Sequence, residues 1–396
     1  MQKQTGNMPA EEALEKYFSA LKLQPCKSEI IPAEESLDRI TSAAVYAQFN
    51  SPHYKAAAMD GIAVKSSSTI GANESTPLVI DDFIPVNTGN PVNDPYDAVI
   101  MIENIILIDN GKRAKITEVA PVMQHIRPIG ESFTAGEMLI PVKHKIRAID
   151  IGVLFSAGVT CIEVYGKPKV AIFPTGSEII EASSLQDGKT PKEGDVIESN
   201  TRMYEAQVKQ AGAKASRFAP VPDDYEFLKN TILKASENFD MILINAGSSA
   251  GTEDFTVQVL REIGKVIVHG VAMKPGKPVI LAIVNNKPVI GTPGYPVSAY
   301  ISFETFVSPV LCLLTNRINQ PRQKIKAVLS KKIISSADRR EYVRVKLENT
   351  EGKLTASALA RHSGALMSLV KADGFCIIEQ GCGCIEAGET VTIELI

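Results

Sequence analysis

The sequence predicts a multi-domain α/β protein: a central domain on a parallel sheet, with a β-rich inserted domain, an N-terminal helical domain and a C-terminal β-barrel. Three observations carry that expectation. Strand-like and helix-like segments alternate over residues 167–318, short β-type runs broken by turn residues fill 46–143, and 319–396 reads as small period-two strands. A length of 396 residues leaves room for two to four domains of ordinary size.

Taken in order, Leu14, Tyr17, Phe18 and Leu21 recur at helical spacing, and Leu37 with Ile40 marks a second short helix after Pro32. IAVK, PLVI, DAVIMIENIILI and AKITEV then read as strands, with N-G-N-P and D-N-G-K as the breaks. AIDIGVLFSAGV is a helix stopped by Gly158, followed by the strand CIEVY. This return to helix suggests that 144–166 folds back onto 1–45, which makes 46–143 an insertion. From Lys167, PKVAIF, KASRFAPV, DMILIN, KVIVHGV, PVILAIV and KPVIG read as strands. NTRMYEAQVKQAG, DYEFLKNTILKASE and EDFTVQVLREIG are helices among them, and YPVSAYISFETFVSPVLCLL closes the segment as one long helix. Such alternation implies a parallel sheet covered on both faces, with ligands at the carboxyl ends of its strands. KIKAVLSKKI, EYVRVKLE, FCIIE and ETVTIELI then suggest the barrel.

Composition narrows the function. Forty-two Lys+Arg against 45 Asp+Glu give a net charge of −3, without the basic excess of a nucleic-acid-binding protein. No apolar run reaches the ~18 residues of a membrane-spanning helix, and the start, MQKQTGNMPAEEALEKYFSALK, has no signal-like apolar region. Six cysteines in a chain of this length make no disulfide framework, so a reducing, cytoplasmic compartment is expected.

Four loops fall at the predicted carboxyl edge: FPTGSE, APVPDDY, NAGSSAGTED and GTPGYPVS. Asn245 to Asp254 combines small residues, which let backbone N–H groups approach an anion, with two hydroxyls and Asp254 as hard oxygen ligands for Mg²⁺. A glycine-rich turn that only caps a helix explains that loop about as well. Met273-Lys274-Pro275-Gly276-Lys277-Pro278 holds two lysines around a rigid turn suited to a tetrahedral oxyanion or phosphate. Its spacing is not that of a P-loop, and Pro278 occupies the place of the Mg²⁺-binding hydroxyl. Glu178, Asp223, Asp224 and Asp254 facing Lys274 and Lys277 imply a phosphorylated ligand with a divalent metal between it and the acids.

Other candidates are weaker. Ala56 to Gly61 ends a run of small residues in Asp60, which either lines a cleft or makes a simple Asp-Gly turn. Cys376, Cys382 and Cys384 lack zinc spacing. Lys324, Lys326, Lys331, Lys332, Arg339, Arg340 and Arg344 read as a solvated strand face rather than a nucleic-acid surface. No GxSxG or HExxH occurs.

Five motifs in order, AAAMDGIAVK, VNTGNPV with DAVIMIEN, FPTGSEII, INAGSSAGTEDFT with AMKPGKP, and GTPGYPVSAY, resemble the molybdopterin molybdenumtransferase family, which includes the E domain of gephyrin. The resemblance runs from about residue 10 to the C-terminus. It implies four domains: an elongated N-terminal domain of 1–45 plus 144–166, a β-rich insertion of 46–143, an α/β molybdopterin-binding domain of 167–318 and a barrel of 319–396. It also implies a homodimer, in which the β-rich segment of one subunit faces the α/β domain of the other, and contact with the molybdopterin adenylyltransferase. The implied reaction cleaves the phosphoanhydride of adenylylatedmolybdopterin with Mg²⁺, places molybdate on the dithiolene and releases AMP. Carried over by motif, Asp60, Glu178, Asp223, Asp254, Lys274 and Lys277 would be catalytic, and Glu178, Asp224 (or its neighbour Asp223) and Asp254 would hold metal. Thr88, Thr175, Gly176, Gly247, Ser248, Ser249, Gly251, Gly276, Pro293, Gly294, Pro296 and Ser298 would shape the binding site.

Three positions depart from the family pattern. Ser132 removes a carboxylate after Gly130-Glu131, Tyr295 replaces the usual asparagine, and Pro174 stands where a serine is common. These departures leave room for a paralogue that inserts tungstate. A catalytically silent scaffold of the same fold and a related pterin adenylyltransferase are the other readings. The retained acids and lysines argue against the first, and the AMDG segment with the barrel against the second.

Overall fold

The computed structural model describes residues 8–185, 188–245, 255–318, 321–350 and 352–396. The chain divides into two compact units, one of Ser28–Val164 and one that takes in the chain up to Lys27 and from Tyr165 onward.

The second of these units contains the α/β domain. Its sheet runs in the order β4, β1, β5, β9, β8, β6, formed by β1 (Lys169–Pro174), β4 (Lys214–Arg217), β5 (Met241–Asn245), β6 (Lys265–His269), β8 (Ile280–Val284) and β9 (Lys287–Thr292). The four strands β4, β1, β5 and β9 are parallel, as the alternation predicts. β8 runs against them, because it is joined to β9 by the tight turn Asn285-Asn286, and β6 at the edge pairs antiparallel with β8. Both asparagines have positive φ, the conformation a short hairpin turn requires.

Burial on both faces follows from period-two alternation within apolar strands. Val170, Ile172, Met241 and Leu243 enter one core, together with Tyr204 of α2 (Asn200–Gln210) and the closing helix. Ala171, Phe173, Ile242 and Ile244 enter the other, against α3 (Tyr225–Asn238) and α4 (Phe255–Ile263). The closing helix is α5 (Pro296–Ser302), a π-helical turn over Phe303–Val307, and α6 (Ser308–Leu314). Pro309 has no N–H to donate, and the widened turn before it accommodates that loss. This composite of 19 residues is long and apolar enough to cross a bilayer, contrary to the expectation that no run reaches that length. Val297, Ile301, Phe303, Phe306, Val310 and Leu311 are instead buried in the α/β core.

The first helix, α1 (Ala10–Ala20), packs Ala13 and Tyr17 into that same core, and the Tyr17 hydroxyl donates to the Ala282 carbonyl. The expected grouping of 1–45 with 144–166 therefore fails for this helix. Its apolar stripe is covered by the sheet of the α/β domain.

The C-terminal strands close on themselves. β10 (Lys324–Leu329), β11 (Arg340–Thr350), β12 (Lys353–Ala358), β13 (Gly374–Ile378) and β14 (Thr390–Leu395) pair in the order β11, β12, β10, β14, β13 and back to β11. This is the expected barrel, and closure leaves it without a free edge. Strand β11 also pairs outside the barrel. Arg340 and Glu341 pair in parallel with Met273 and Lys274, which form the two-residue strand β7.

In the unit Ser28–Val164, the strand Ser28–Pro32 pairs with Cys161–Tyr165, and one core gathers Ala33, Val45, Phe133, Ile146 and Leu154. A second, around Ile62, Ile100 and Ile116, belongs to the small antiparallel sheets of the β-rich segment. The predicted helix over 148–156 is present and ends before Gly158, whose φ of +81° favours glycine. The expected short helix near Leu37 and Ile40 is instead a 3-10 turn over Ala33–Glu35, and Ile40 makes a β-bridge with Lys145.

Candidate active site

A cavity of about 730 Å³ opens at the carboxyl ends of β1, β5 and β9, where an open α/β sheet binds its ligands. Its floor is a hydrogen-bonded polar set. Asn200, at the start of α2, donates through Nδ2 to Asn245 Oδ1 at 3.0 Å and to the Gly294 carbonyl at 2.6 Å. Asn245 donates in turn to the Pro293 carbonyl at 2.9 Å, and Thr175 bonds back to the Asn245 carbonyl. The turn before α5 is thus tied to the ends of β1 and β5. Pro296 sits in the first turn of α5, where its missing N–H costs nothing.

One wall is apolar. Ile179 and Ile180 form β2 and Val196 and Ile197 form β3, paired in parallel. Ile179, Val196 and Ile197 line the cavity although Val196 and Ile197 are 49% and 43% exposed. The carboxylate Glu178 stands at the start of this strap. A Cβ on Gly176 would lie 2.6 Å from its Oε2, so glycine leaves the space that the carboxylate fills. Glu198 follows the strap. It is buried, accepts from the Thr201 amide and faces the Arg217 guanidinium at 3.5 Å, while Arg217 also pairs with Glu181.

The opposite wall is cationic. Lys274 and Lys277 flank the turn at Gly276, whose φ is +115°. A side chain at 276 would strike Met273 and Ser302, so the lysine turn can close only with glycine there. Arg339, Arg361, His362 and Ser363 of the barrel domain complete the wall. Behind it lies Glu341, 2% exposed on its side chain. It accepts from Arg361 Nη2 at 2.6 Å and Nε at 3.0 Å and from Ser335 Oγ at 2.7 Å, and it stands 3.2 Å from Lys274 Nζ. Burial alone would raise its carboxyl pKa, but Arg361, Ser335 and Lys274 hold it below the ordinary value. Fully buried Arg344 donates to the carbonyls of Ala360 and His362, and the Val297 amide of α5 donates to Ser363. The loop over 360–363 is thereby fixed against the α/β domain. Lys277 has no ion pair to a described residue.

Thr175, Glu178, Lys274, Gly276, Lys277, Pro293, Gly294, Pro296 and Ser298 all line this one cavity. Gly176 stands behind Glu178. Asp223 and Asp224 lie outside it: Asp223 exchanges hydrogen bonds with Ser177, and Asp224 caps α3 by accepting from the Phe227 amide. Asp60 and Thr88 belong to the Ser28–Val164 unit and are bonded to each other, the Thr88 amide and hydroxyl donating to Asp60 Oδ1 at 2.6 and 2.9 Å. Those two bonds hold the exposed Asp60 carboxyl below its ordinary pKa. Gly247, Ser248, Ser249, Gly251 and Asp254 lie outside the described residues. Among the described residues no group of three or more His, Cys, Asp or Glu side chains is arranged to hold a metal ion. Cys376, Cys382 and Cys384 are unpaired thiols away from the cavity lining.

Sequence reasoning did not single out Asn200, Glu198, Arg361 or Glu341, and it took Asn245 only as the start of the glycine-rich loop. The seven basic residues from Lys324 to Arg344 are not a uniform solvated face: Arg339 lines the cavity and Arg344 is buried. The period-two spacing placed them on strands but could not show which side meets the α/β domain.

Three family models match consecutive parts of the chain: the MoeA N-terminal region (domain I and II) over residues 8–158, a probable molybdopterin binding domain over 171–312, and the MoeA C-terminal region (domain IV) over 326–396. A putative molybdopterin biosynthesis protein of Methanocaldococcus jannaschii is 31% identical over 375 residues, covering 91% of this chain and 90% of that one. A molybdopterin molybdenumtransferase of Haemophilus influenzae is 26% identical over 386 residues, covering 93% and 94%. The crystal structure of a molybdopterin biosynthesis MoeA protein from Pyrococcus horikosii superposes with a TM-score of 0.82 at 29% identity, covering 98% of each chain.

Proposed function

The chain belongs to the MoeA family of molybdopterin biosynthesis proteins, and on that premise we propose that its cavity transfers molybdate to adenylylated molybdopterin with release of AMP. It acts in molybdenum cofactor biosynthesis as a transferase. The observation that carries the finer reading is the meeting of Lys274, Lys277, Arg339 and Arg361 with Glu178 in one cavity beside an apolar wall.

Molybdate is a tetrahedral dianion, and the phosphoanhydride to be cleaved carries further negative charge. Cationic N–H donors aimed at such oxygens stabilise the charge that develops on the leaving phosphate. Lys277, without an ion pair to a described residue, is suited to that task. Lys274 and Arg361, held by Glu341, present the remaining donors at fixed places. The apolar strap offers Ile179, Val196 and Ile197 to a flat heterocycle, whether pterin or adenine. No protein sulfur is needed, because the dithiolene of the substrate supplies the soft ligands for molybdenum.

Mg²⁺ fits as an ion completed by substrate. It commonly takes one or two carboxylates and fills its shell with phosphate oxygens and water. Among the described residues Glu178 would hold it, since Glu198, the other carboxylate of the lining, faces Arg217 and Asp224 caps its helix. When bound it would neutralise charge at the anhydride. The Ser28–Val164 unit would contribute Asp60 and Thr88 within a homodimer, and the adenylyltransferase that makes the substrate would dock on this protein.

Purified protein incubated with adenylylated molybdopterin, molybdate and Mg²⁺ should release AMP and yield metal-loaded cofactor. Absence of AMP at saturating substrate would refute the reading. Replacing molybdate by tungstate in the same assay tests the paralogue that Tyr295 leaves open.

A further inference from the structure

We propose that Glu341 is a positioning residue that makes the cationic wall discriminate among tetrahedral dianions, an inference that rests on the oxyanion-transfer reading above. Glu341 does not line the cavity, yet two of the four cations that do are attached to it. Its carboxylate engages the Nε/Nη2 edge of Arg361 and one face of the Lys274 ammonium, so each cation is left with a limited set of N–H groups in a fixed direction. The carboxylate is itself fixed from behind by Ser335, and from the backbone by the pairing of Lys274 with Glu341 across β7 and β11.

Two consequences follow for an anion in the cavity. The buried negative charge lowers the attraction for any dianion, whatever its size. The fixed donors then favour the tetrahedron whose oxygens match their spacing. Molybdate and sulfate have the same charge and shape but different sizes, so charge alone cannot separate them. Rigid donors can. Without the carboxylate, two freed cations would close on either ion, and the wall would hold sulfate or phosphate, the abundant wrong ligands.

The test is calorimetric titration of the full-length protein with molybdate and with sulfate, at one ionic strength. The wild-type protein should prefer molybdate. In Glu341→Gln, which keeps the size and removes the charge, both anions should bind more tightly, sulfate by roughly tenfold and molybdate by less, so that the preference shrinks a few-fold. Glu341→Asp retains the charge and should keep sulfate binding weak. Ser335→Ala, which loosens Glu341 without changing the charge of the wall, should erode the preference in the same direction by a smaller factor, and it decides the matter if Glu341→Gln does not fold. An unchanged preference in both variants overturns the proposal, as does an equal weakening of both anions, which a merely structural role would produce. A wild-type protein that binds neither anion overturns the oxyanion reading itself, an outcome distinct from any result in the variants.

Discussion

The two walls of the cavity are built differently. The α/β side is made of backbone and neutral groups: Asn200, Asn245 and Thr175 tie turns together, and prolines and glycines set their course. The opposite side is made of charge, with Lys274 and Lys277 from the α/β domain and Arg339 and Arg361 from the barrel, and Lys274 and Arg361 share the buried Glu341. Neutral hydrogen bonds between adjacent loop ends cost little to organise. Cations brought from a second domain repel one another and need a buried counter-charge to converge. The neutral wall is therefore local in origin, whereas the cationic wall depends on long-range pairing between the two domains.

The largest expected effect tests the untied cation. Lys277→Ala should lower the rate of AMP release by about two orders of magnitude or more, with little change in melting temperature. Near-normal turnover would show that the charged wall is not the reacting one. Arg361→Ala should act on both function and folding. It leaves the buried Glu341 with Lys274 and Ser335 alone, and urea titration should show a loss on the order of 2 kcal/mol, discounted because Arg361 is itself about a third exposed. A variant that loses activity at unchanged stability would show that the pairing is not structural.

The same contrast has a pH signature. The folded-state pKa of Glu341 lies below its unfolded value. The unfolded chain therefore takes up the proton first as pH falls, and the stability that Glu341 contributes is full above the ordinary carboxylate range and lost below it. The stability gap between wild-type protein and Glu341→Gln, followed by urea unfolding, should be greatest near neutrality and should narrow below about pH 4. A gap that is constant with pH would assign the effect to packing. The smallest effect belongs to the apolar strap. Val196→Ser should change stability by no more than about 0.5 kcal/mol, since the residue is half exposed, and should raise the KM for the pterin substrate a few-fold.

Legibility in the sequence follows the same division. Lys274, Gly276, Lys277, Pro293 and Glu178 could be singled out because each sits in a short string whose composition dictates a turn at a strand end. The parallel core strands were equally legible, since a buried strand must be apolar along its whole length. Arg361 and Glu341 were not, because nothing within a few residues of either distinguishes a buried pair from a surface one. The hairpin that turns β8 against its neighbours is signalled only by Asn285-Asn286, a cue easily outweighed by the surrounding alternation. Asp224 shows the opposite failure: an acid at a helix start reads equally as a metal ligand or a cap, and here the Phe227 amide occupies it.

The strand β11 runs for 11 residues and takes part in two assemblies: Arg340 and Glu341 lie beside Met273 and Lys274, and from Glu341 onward it is woven into the barrel. Heat that melts the barrel would therefore release Lys274 and Arg361 while the α/β sheet still stands. Amide exchange at Lys274 should keep pace with the barrel rather than with the α/β sheet, and the useful temperature range of the enzyme would be that of its smallest cooperative unit.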